Sequence, residues 1–367
     1  MSKSLARLAI AAASTLVAAT VVAAVAAAGS ASAQTPFYQG KQLRVLVGFT
    51  PGGGTDLFGR IMAEGLARSI EGKPSVVVQN MPGAGSVVAS NYFVQKAPRD
   101  GSFVLVGTGQ LLIRIMLGLD GSKSKISELE ALVASPMGRI TYASPSTGIK
   151  TAKDILNPRE PLMLGVPEAI STIDAVHGLS LVRANFRAVT GYPGKAETRL
   201  ALMRNEVNVD SQSTPVFDSG VRPLIREGKA VPLFTQGLME GDRLVRDPAA
   251  PDLPTVAEAY REMYGVEPSG PPWEAYKAVV RAAGNGGKIL ITHSDGPPAS
   301  REALRRAVEA MTKDREFLQK AETVLEGYGL NHGESLAATI AGISRTLPAE
   351  LAWLKDLLTR EFRMKFN

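Results

Sequence analysis

The sequence predicts a mixed α/β fold with a parallel, doubly wound sheet. Short apolar runs rich in β-branched residues alternate with segments whose apolar residues recur at helical spacing. Several strand-like runs end in glycine-rich breaks, which are typical of strand-to-helix connections. The 367 residues suffice for two ordinary domains, and a hydrophobic share of 45% is that of a globular protein.

Residues 1–33 predict a signal peptide rather than a part of the fold. Lys3 and Arg7 supply the positive charge, a long alanine-rich apolar run follows, and residues 31–33 (Ala-Ser-Ala) fit the A-x-A cleavage pattern. A retained transmembrane anchor is the alternative, although alanine contributes little to membrane insertion. We expect cleavage after Ala33 and export to the periplasm.

The first unit of the mature chain reads as a strand, a glycine loop and a helix. Residues 43–49 form an apolar run, residues 50–54 (Thr-Pro-Gly-Gly-Gly) break it, and Thr55 or Asp56 can cap the following helix. Glycine amides allow close approach, and the first turn of a helix has unpaired N–H groups and a partial positive charge. The unit predicts a receptor for a carboxylate or a phosphate. The alternative is that these glycines only make a tight turn.

Two further strand ends carry small residues of the same kind. Residues 75–79 predict a strand that runs into the loop at 80–86, and residues 87–97 predict a helix. Residues 103–106 predict a third strand, which ends in Gly-Thr-Gly-Gln. Because ligands of open α/β sheets bind at the carboxyl ends of the strands, three such ends favour a binding site.

The middle of the chain predicts a second α/β unit after a less regular segment, residues 111–135, which we expect to be partly helical. Its strands and helices alternate, and hydroxyl side chains follow its strands. The predicted strands are 139–143, 162–166, 186–189, 207–210 and 231–234, and the predicted helices are 173–184, 196–203 and 216–227.

The last third is turn-rich and then helical. Residues 237–299 hold many prolines and glycines, with short helices predicted at 256–264 and 273–283 and a strand at 288–292. From Arg301 onward we expect helices that pack on a sheet. The apolar residues from Ile340 to Leu358 predict one continuous helix.

Several function classes are excluded by what the sequence lacks. It has no cysteine, and its three histidines are widely spaced, which argues against a catalytic zinc site. No dinucleotide fingerprint, P-loop or nucleophile elbow is present. The net charge of +6 comes without a basic, aromatic-interleaved stripe, so nucleic-acid binding is not supported. We predict no cofactor and no metal.

Two polar residues have a structural and a functional interpretation. His177 on a predicted helix could pair with Ser171 or Thr172 as a catalytic couple, but a structural role is favoured. Asp56 could bind a ligand amino group or cap its helix, and capping is favoured. If the ligand is a carboxylate, Asp56 must point away from it, because like charges in a dry cleft repel.

Three motifs carry a resemblance to a known family. Residues 49–56 (Phe-Thr-Pro-Gly-Gly-Gly-Thr-Asp), 79–85 (Gln-Asn-Met-Pro-Gly-Ala-Gly) and the Asp100-Gly101 turn before the third strand occur in order within sixty residues. The chain thereby resembles the extracytoplasmic solute receptors of tripartite tricarboxylate transporters, the Bug family. It departs from that family at Pro193, where lysine is usual, and at residues 168–178.

The resemblance implies a type II periplasmic-binding-protein fold with two α/β lobes and a ligand cleft between them. Lobe 1 would comprise residues 34–140 and 241–367, and lobe 2 residues 141–240. The ligand would be a small di- or tricarboxylate that a membrane permease receives from a monomeric receptor. One carboxylate would bind to the predicted site of lobe 1, which comprises Gly53, Gly54, Thr55, Asp56, Thr108 and Gly109. Lobe 2 would hold the ligand from the other side with Ser171, Thr172 and Ser211.

Two other interpretations remain open. A phosphate- or nucleotide-binding α/β enzyme could use the Gly52–Gly54 loop, and it would show turnover. A receptor-like sensor module would bind ligand equally well and differ only in its partner.

Overall fold

The computed structural model describes residues 35–119 and 121–366, which form two separate β-sheets covered by helices. The predicted signal peptide lies outside the described residues. No described helix combines the length and the apolar character that crossing a membrane requires.

The first sheet has six strands in the order β2-β1-β3-β12-β4-β13. They are β1 (Gln42–Val47), β2 (Ser75–Asn80), β3 (Phe103–Thr108), β4 (Leu129–Ser135), β12 (Lys288–His293) and β13 (Asn331–His332). β1 pairs in parallel with β2 and β3, whereas β12 runs antiparallel to both β3 and β4. The chain therefore leaves this sheet after β4 and returns to it at β12.

The second sheet has five strands in the order β7-β6-β8-β5-β9. They are β5 (Arg139–Ala143), β6 (Leu162–Val166), β7 (Phe186–Thr190), β8 (Val209–Ser213) and β9 (Val231–Thr235). β6 pairs in parallel with β7 and β8, and β5 runs antiparallel to β8 and β9. In both sheets the strand that arrives from the other sheet is antiparallel to its neighbours.

Helices cover both sheets. In the first half of the chain they are α1 (Gly54–Ser69), α2 (Val87–Gln95), α3 (Gly109–Leu117), α4 (Ile173–Leu181), α5 (Lys195–Met203), α6 (Thr214–Gly220) and α7 (Arg222–Arg226). In the second half they are α8 (Val256–Tyr264), α9 (Gly270–Val279), α10 (Pro298–Met311), α11 (Arg315–Leu325), α12 (Gly333–Ser344) and α13 (Pro348–Phe362). A hairpin of β10 (Leu238–Glu240) and β11 (Arg243–Val245) precedes α8.

Apolar packing holds the helices on the sheets. On one face of the first sheet, Val45 and Val47 of β1 share a core with Phe58 and Met62 of α1 and with Met311 of α10. The other face continues into a core that includes α4 and β6 of the second sheet. A smaller core covers the α5 face of the second sheet. The two-sheet α/β class predicted from the sequence is confirmed.

Three local predictions differ from the structure. Residues 129–135 form a buried strand between β12 and β13, although their leucine, alanine and glutamate favour helix. Pairing on both sides overrides this local preference. The predicted helix from Ile340 to Leu358 is interrupted, because Pro348 starts α13 and cannot continue α12. The sheets are also mixed rather than wholly parallel, because the crossover strands run the other way.

Candidate functional site

The glycine loop after β1 is held in place by Asp56. The Asp56 side chain is 1% exposed, and its carboxylate accepts hydrogen bonds from Gly52 N at 2.9 Å, Arg60 Nε at 2.8 Å and Asn80 Nδ2 at 2.7 Å. Burial alone would raise the pKa of Asp56, but these hydrogen bonds outweigh it and lower the pKa. The carboxylate therefore holds the glycine loop through Gly52 and Asn80. The predicted capping of α1 by Thr55 or Asp56 is wrong, because the helix begins after Gly53 and Asp56 lies inside its first turn.

The amide groups of the first turn of α1 lie open beside this loop. Gly53 is the extended N-cap residue, and no side chain caps the helix. Gly53 and Gly54 are exposed, and Thr55 is half-buried. A β-carbon built on Gly53 would meet nothing closer than the Thr50 carbonyl oxygen at 3.8 Å. Space for a ligand is present where the uncapped N–H groups begin.

A buried lysine adds positive charge at the same place. Lys288, the first residue of β12, has its Nζ 3.9 Å from the position that a β-carbon of Gly54 would take. Its ammonium donates to the Val324 carbonyl at 2.9 Å and to Glu326 Oε2 at 3.1 Å. Lys288 and the positive end of α1 together favour an anion at Gly54.

The end of β3 lies next to the end of β1, because the two strands are paired. Thr108 is 8% exposed and precedes α3 without capping it. The Gly109 amide donates to the Gly287 carbonyl at 3.0 Å, and a β-carbon on Gly109 would lie 1.8 Å from the Ala282 carbonyl oxygen. Gly109 thus serves close packing of α3 against residues 280–287, and its amide is already bonded.

A salt bridge connects the two halves of the site. Arg114 of α3 lies against Gly85 of the second glycine loop, and its Nη2 is 2.9 Å from Glu168 Oε2, beyond the end of β6. Glu168 also accepts hydrogen bonds from the Ile170 and Ser171 amides. The ion pair therefore joins α3 of the first lobe to the turn that opens α4 of the second.

We expect this ion pair to bias the protein toward the closed arrangement of its lobes. Glu168 is 47% exposed, so the contribution should be about 0.5–1 kcal/mol, a two- to fivefold change in the ratio of closed to open protein. Replacing Arg114 or Glu168 by alanine should increase the radius of gyration in X-ray scattering, and the double variant should add little. Equal radii for wild type and variants would contradict this role.

Two of the three predicted residues of the second lobe follow the end of β6, and the third lies inside β8. The hydroxyls of Ser171 and Thr172 both donate to the Glu168 carbonyl, at 2.8 Å and 3.2 Å. Ser211 lies in β8, opposite Thr141, and is fully buried. Its hydroxyl has no hydrogen-bond partner among the described residues. Ser171 and Thr172 thus share one turn, and Ser211 lies deeper in the lobe.

His177 is a core residue. It is fully buried, packs against Trp353 and Tyr276, and donates from Nε2 to the Pro272 carbonyl at 2.9 Å. Burial lowers its pKa to about 3, which keeps the imidazole neutral. Neither Ser171 nor Thr172 is bonded to it within the described chain, so the structural interpretation accounts for this histidine.

Sequence reasoning missed several charged residues around the site, and each leaves a signal. Arg114 is a lone cation in an apolar helix, Arg139 begins the buried strand β5, and Asp210 is a charge in the buried part of β8. Lys195 directly follows the Tyr-Pro-Gly turn of residues 192–194. A buried charge in an apolar element is a better indicator of a site than a hydroxyl at a strand end.

A cavity of about 650 Å³ lies elsewhere, between β4, α10 and the start of α12. Its charged lining mixes Glu130, Glu302 and Glu309 with Arg305 and Arg306, and it includes none of the predicted site residues. Such a lining has no preference for an anion, so we place the candidate site at the strand ends.

Known proteins share both the sequence and the fold of this chain. A UPF0065 protein of Bordetella pertussis is 27% identical over 311 residues, with 77% of this chain and 79% of that protein covered. The Bordetella pertussis protein BugT is 28% identical over 272 residues, with 71% and 77% covered. No protein-family model matches the chain.

Solved structures give the same result. A TctC solute-binding protein from Polaromonas superposes with a TM-score of 0.64 at 17% identity, covering 88% of this chain and 99% of that one. An R. palustris protein solved with adipate gives 0.57 at 21% identity, covering 87% and 96%. MatC from Rhodopseudomonas palustris, solved with malate, gives 0.55 at 17% identity, covering 87% and 99%.

These comparisons show that the chain has the two-lobed α/β fold found in solved solute-binding proteins. The chain is similar in sequence to BugT and to a UPF0065 protein, and in fold to a TctC solute-binding protein. The resemblance drawn from the three sequence motifs is therefore confirmed.

Proposed function

We propose that this protein is a periplasmic receptor for a small organic carboxylate and delivers it to a tripartite tricarboxylate-type permease. The observation that carries the proposal is the open first turn of α1, where exposed Gly53 and Gly54 present uncapped amides beside buried Lys288. Adipate and malate in two structures of similar fold support a carboxylate as the ligand class.

The carboxylate would accept hydrogen bonds from the amides of Gly53, Gly54 and Thr55. An N-terminal helix turn stabilises such an anion through its unpaired N–H groups and its dipole. Asp56 does not compete, because its carboxylate is bonded inside the loop. Thr108 would add to the same wall.

Closure would complete the site from the other side. Lobe 2, residues 141–240, would move against lobe 1, residues 34–140 and 241–367, about the two crossovers that connect the sheets. Ser171, Thr172 and Ser211 would then face the ligand. The closed receptor is the form that the permease would recognise, and export would depend on the signal peptide of residues 1–33.

Alanine substitutions at Gly53 and Gly54 test this proposal. A β-carbon at either position meets only ordinary contacts, so both variants should fold with an unchanged melting temperature. The same methyl group would occupy the space of the carboxylate. We expect calorimetric affinity for the bound C4–C6 carboxylate to fall at least tenfold, or about 1.4 kcal/mol.

Gly329→Ala is the matched control, because Gly329 has open space around it and lies far along the chain from the loop. It should bind like the wild type. Absence of any heat of binding across a C4–C6 carboxylate panel, in protein freed of carried-over ligand, would overturn the proposal. Unchanged affinity in both glycine variants would show that the amides at the start of α1 do not bind the ligand.

A further inference from the structure

A cluster of charged and polar residues occupies the edge of the second lobe that faces the first. Arg139 is the first residue of β5 after the crossover, Asp174 lies in the first turn of α4, and Lys195 is the first residue of α5. Asp210 and Gln212 lie on β8. Arg139 and Gln212 lie near the strand ends at the crossover, which is the edge at which α/β sheets bind ligands, and Asp210 lies two residues before Gln212 on the same strand.

Internal bonds hold this cluster rigid. Asp210 Oδ2 accepts hydrogen bonds from the Tyr142 hydroxyl at 2.6 Å and from Gln212 Nε2 at 2.8 Å. Gln212 also donates to the Lys195 carbonyl at 2.6 Å. On the opposite face of the sheet, Arg139 Nε is 2.9 Å from Asp174 Oδ2. The positions of Lys195 and Asp210 are therefore fixed relative to each other through Gln212.

Two charged atoms in this cluster are buried without a partner. Neither the ammonium of Lys195 nor Oδ1 of Asp210 has a hydrogen-bond partner among the described residues. Buried polar atoms are nearly always bonded, and an unbonded buried charge is costly. One unused donor group and one unused acceptor, on residues that Gln212 joins, call for a molecule that supplies the complementary pair.

We propose that Lys195 and Asp210 form a second-lobe subsite that recognises a hydroxy acid end of the ligand. The Lys195 ammonium would bind the carboxylate, and Asp210 Oδ1 would accept a hydrogen bond from the neighbouring hydroxyl. The inference rests on the proposed carboxylate receptor and refines its ligand to hydroxydicarboxylates, with the plain acid end on α1. A ligand without the hydroxyl would leave Asp210 Oδ1 without a hydrogen bond and would still bring its negative carboxylate toward Asp210.

The electrostatics of Lys195 agree with this arrangement. Burial, together with the positive charge of Arg139, lowers the pKa of Lys195 to about 8. The negative charges of Asp210 and Asp174 oppose this shift. An arriving carboxylate would stabilise the charged ammonium and raise the pKa again. Binding at pH 8.5 should therefore take up a fraction of a proton, and affinity should fall as the pH rises through about 8.

Matched ligand pairs and three variants test the subsite by calorimetry on the full mature chain. The pairs are succinate with malate, glutarate with 2-hydroxyglutarate, and adipate with 2-hydroxyadipate. The wild type should bind the better-fitting hydroxy acid at least tenfold more tightly than its partner. Lys195→Met should weaken that binding at least thirtyfold and abolish the proton uptake seen in buffers of different ionisation enthalpy.

Asp210→Asn should reduce the preference for the hydroxy acid to about twofold, because the amide keeps the side-chain shape but weakens the acceptor. Lys153→Met, at an exposed lysine of the same lobe, removes the same charge and should bind like the wild type. Unchanged thermal unfolding would show that the variants are folded. A wild type that prefers the plain acids or 2-amino acids, or a Lys195→Met protein with unchanged affinity, would overturn the subsite while the carboxylate receptor stands. Silence across the panel would overturn both.

Discussion

Replacing Gly138 by alanine should lower the free energy of unfolding by about 3 kcal/mol. Gly138 lies in the crossover between β4 and β5, and a β-carbon there would lie 1.5 Å from Asp247 Oδ2 and 2.6 Å from the Tyr328 hydroxyl. Asp247 is fully buried and accepts hydrogen bonds from Tyr328 at 2.8 Å and from Thr214 at 2.6 Å. The methyl group would displace the carboxylate and leave these buried donors unpaired, at about 1–3 kcal/mol each.

This network is important because it joins three parts of the hinge. Gly138 belongs to the outgoing crossover, Asp247 to the returning one, and Thr214 to the start of α6 in the second lobe. Tyr328 also accepts a hydrogen bond from the Gly138 amide at 3.0 Å. A loss of these bonds should therefore loosen the connection between the lobes as well as destabilise the fold.

Urea unfolding of the wild type and four variants measures this loss of stability. Gly138→Ala should be strongly destabilised, Gly329→Ala should be unchanged, and Asp247→Ala should also lose stability. The double variant Gly138→Ala/Asp247→Ala should lose less than the sum of the two, because removing the carboxylate relieves the clash. A Gly138→Ala protein within about 0.5 kcal/mol of the wild type would show that the crossover does not depend on this packing.

Asp56→Ala should abolish most ligand affinity and destabilise the fold by about 2 kcal/mol. The substitution leaves the half-buried Asn80 amide and the Gly52 N–H with one bond fewer. The Arg60 ion pair adds little, since Arg60 is 49% exposed. Without these bonds the glycine loop loses its fixed shape, and we expect calorimetric affinity to fall at least thirtyfold.

The pH dependence of this contribution has a definite sign. Because the folded protein lowers the pKa of Asp56, its stabilisation is complete above the ordinary carboxyl pKa of about 4 and is lost as the pH falls through the lower folded value. The difference in stability between wild type and Asp56→Ala should therefore shrink below about pH 4. Asp56→Asn is the matched variant, and it should retain part of the affinity. Wild-type affinity in Asp56→Ala would contradict the role of this residue.

Local sequence was sufficient to predict β1, the glycine loop and α1 of the first lobe. The apolar run of β1, the glycine break and the helical spacing of α1 lie within some 25 residues, and no distant contact is needed to interpret them. The three motif-bearing strand ends also come together simply because β1 pairs with β2 and β3. Loops after adjacent parallel strands must share an edge.

The strand β4 and the antiparallel directions of β5 and β12 depend on distant partners and were not predicted. β4 is a strand because β12, more than 150 residues later, pairs with it. Its own leucine, alanine and glutamate residues favour helix, so no local pattern identifies it. The antiparallel crossover strands follow the same rule, since their direction is set by where the chain re-enters a sheet.

The candidate site also has parts that the local sequence predicts and parts that it does not. Glycine loops can be recognised locally, but the partners of Arg114 and Asp247 come from elements far away in the chain. The capping role predicted for Asp56 was wrong, because its carboxylate bonds to Gly52, Arg60 and the more distant Asn80 instead of capping α1. Whether Gly53, Gly54, Thr55, Thr108, Gly109, Ser171, Thr172 and Ser211 contact the ligand stays a prediction.

A crystal structure of the protein with its tightest-binding C4–C6 carboxylate tests the central claim most directly. We expect one carboxylate group within hydrogen-bond distance, about 2.7–3.2 Å, of the amides of Gly53, Gly54 or Thr55, with the second lobe closed over it. A ligand whose acid groups all lie away from the start of α1, for example in the cavity between β4 and α10, would contradict the account.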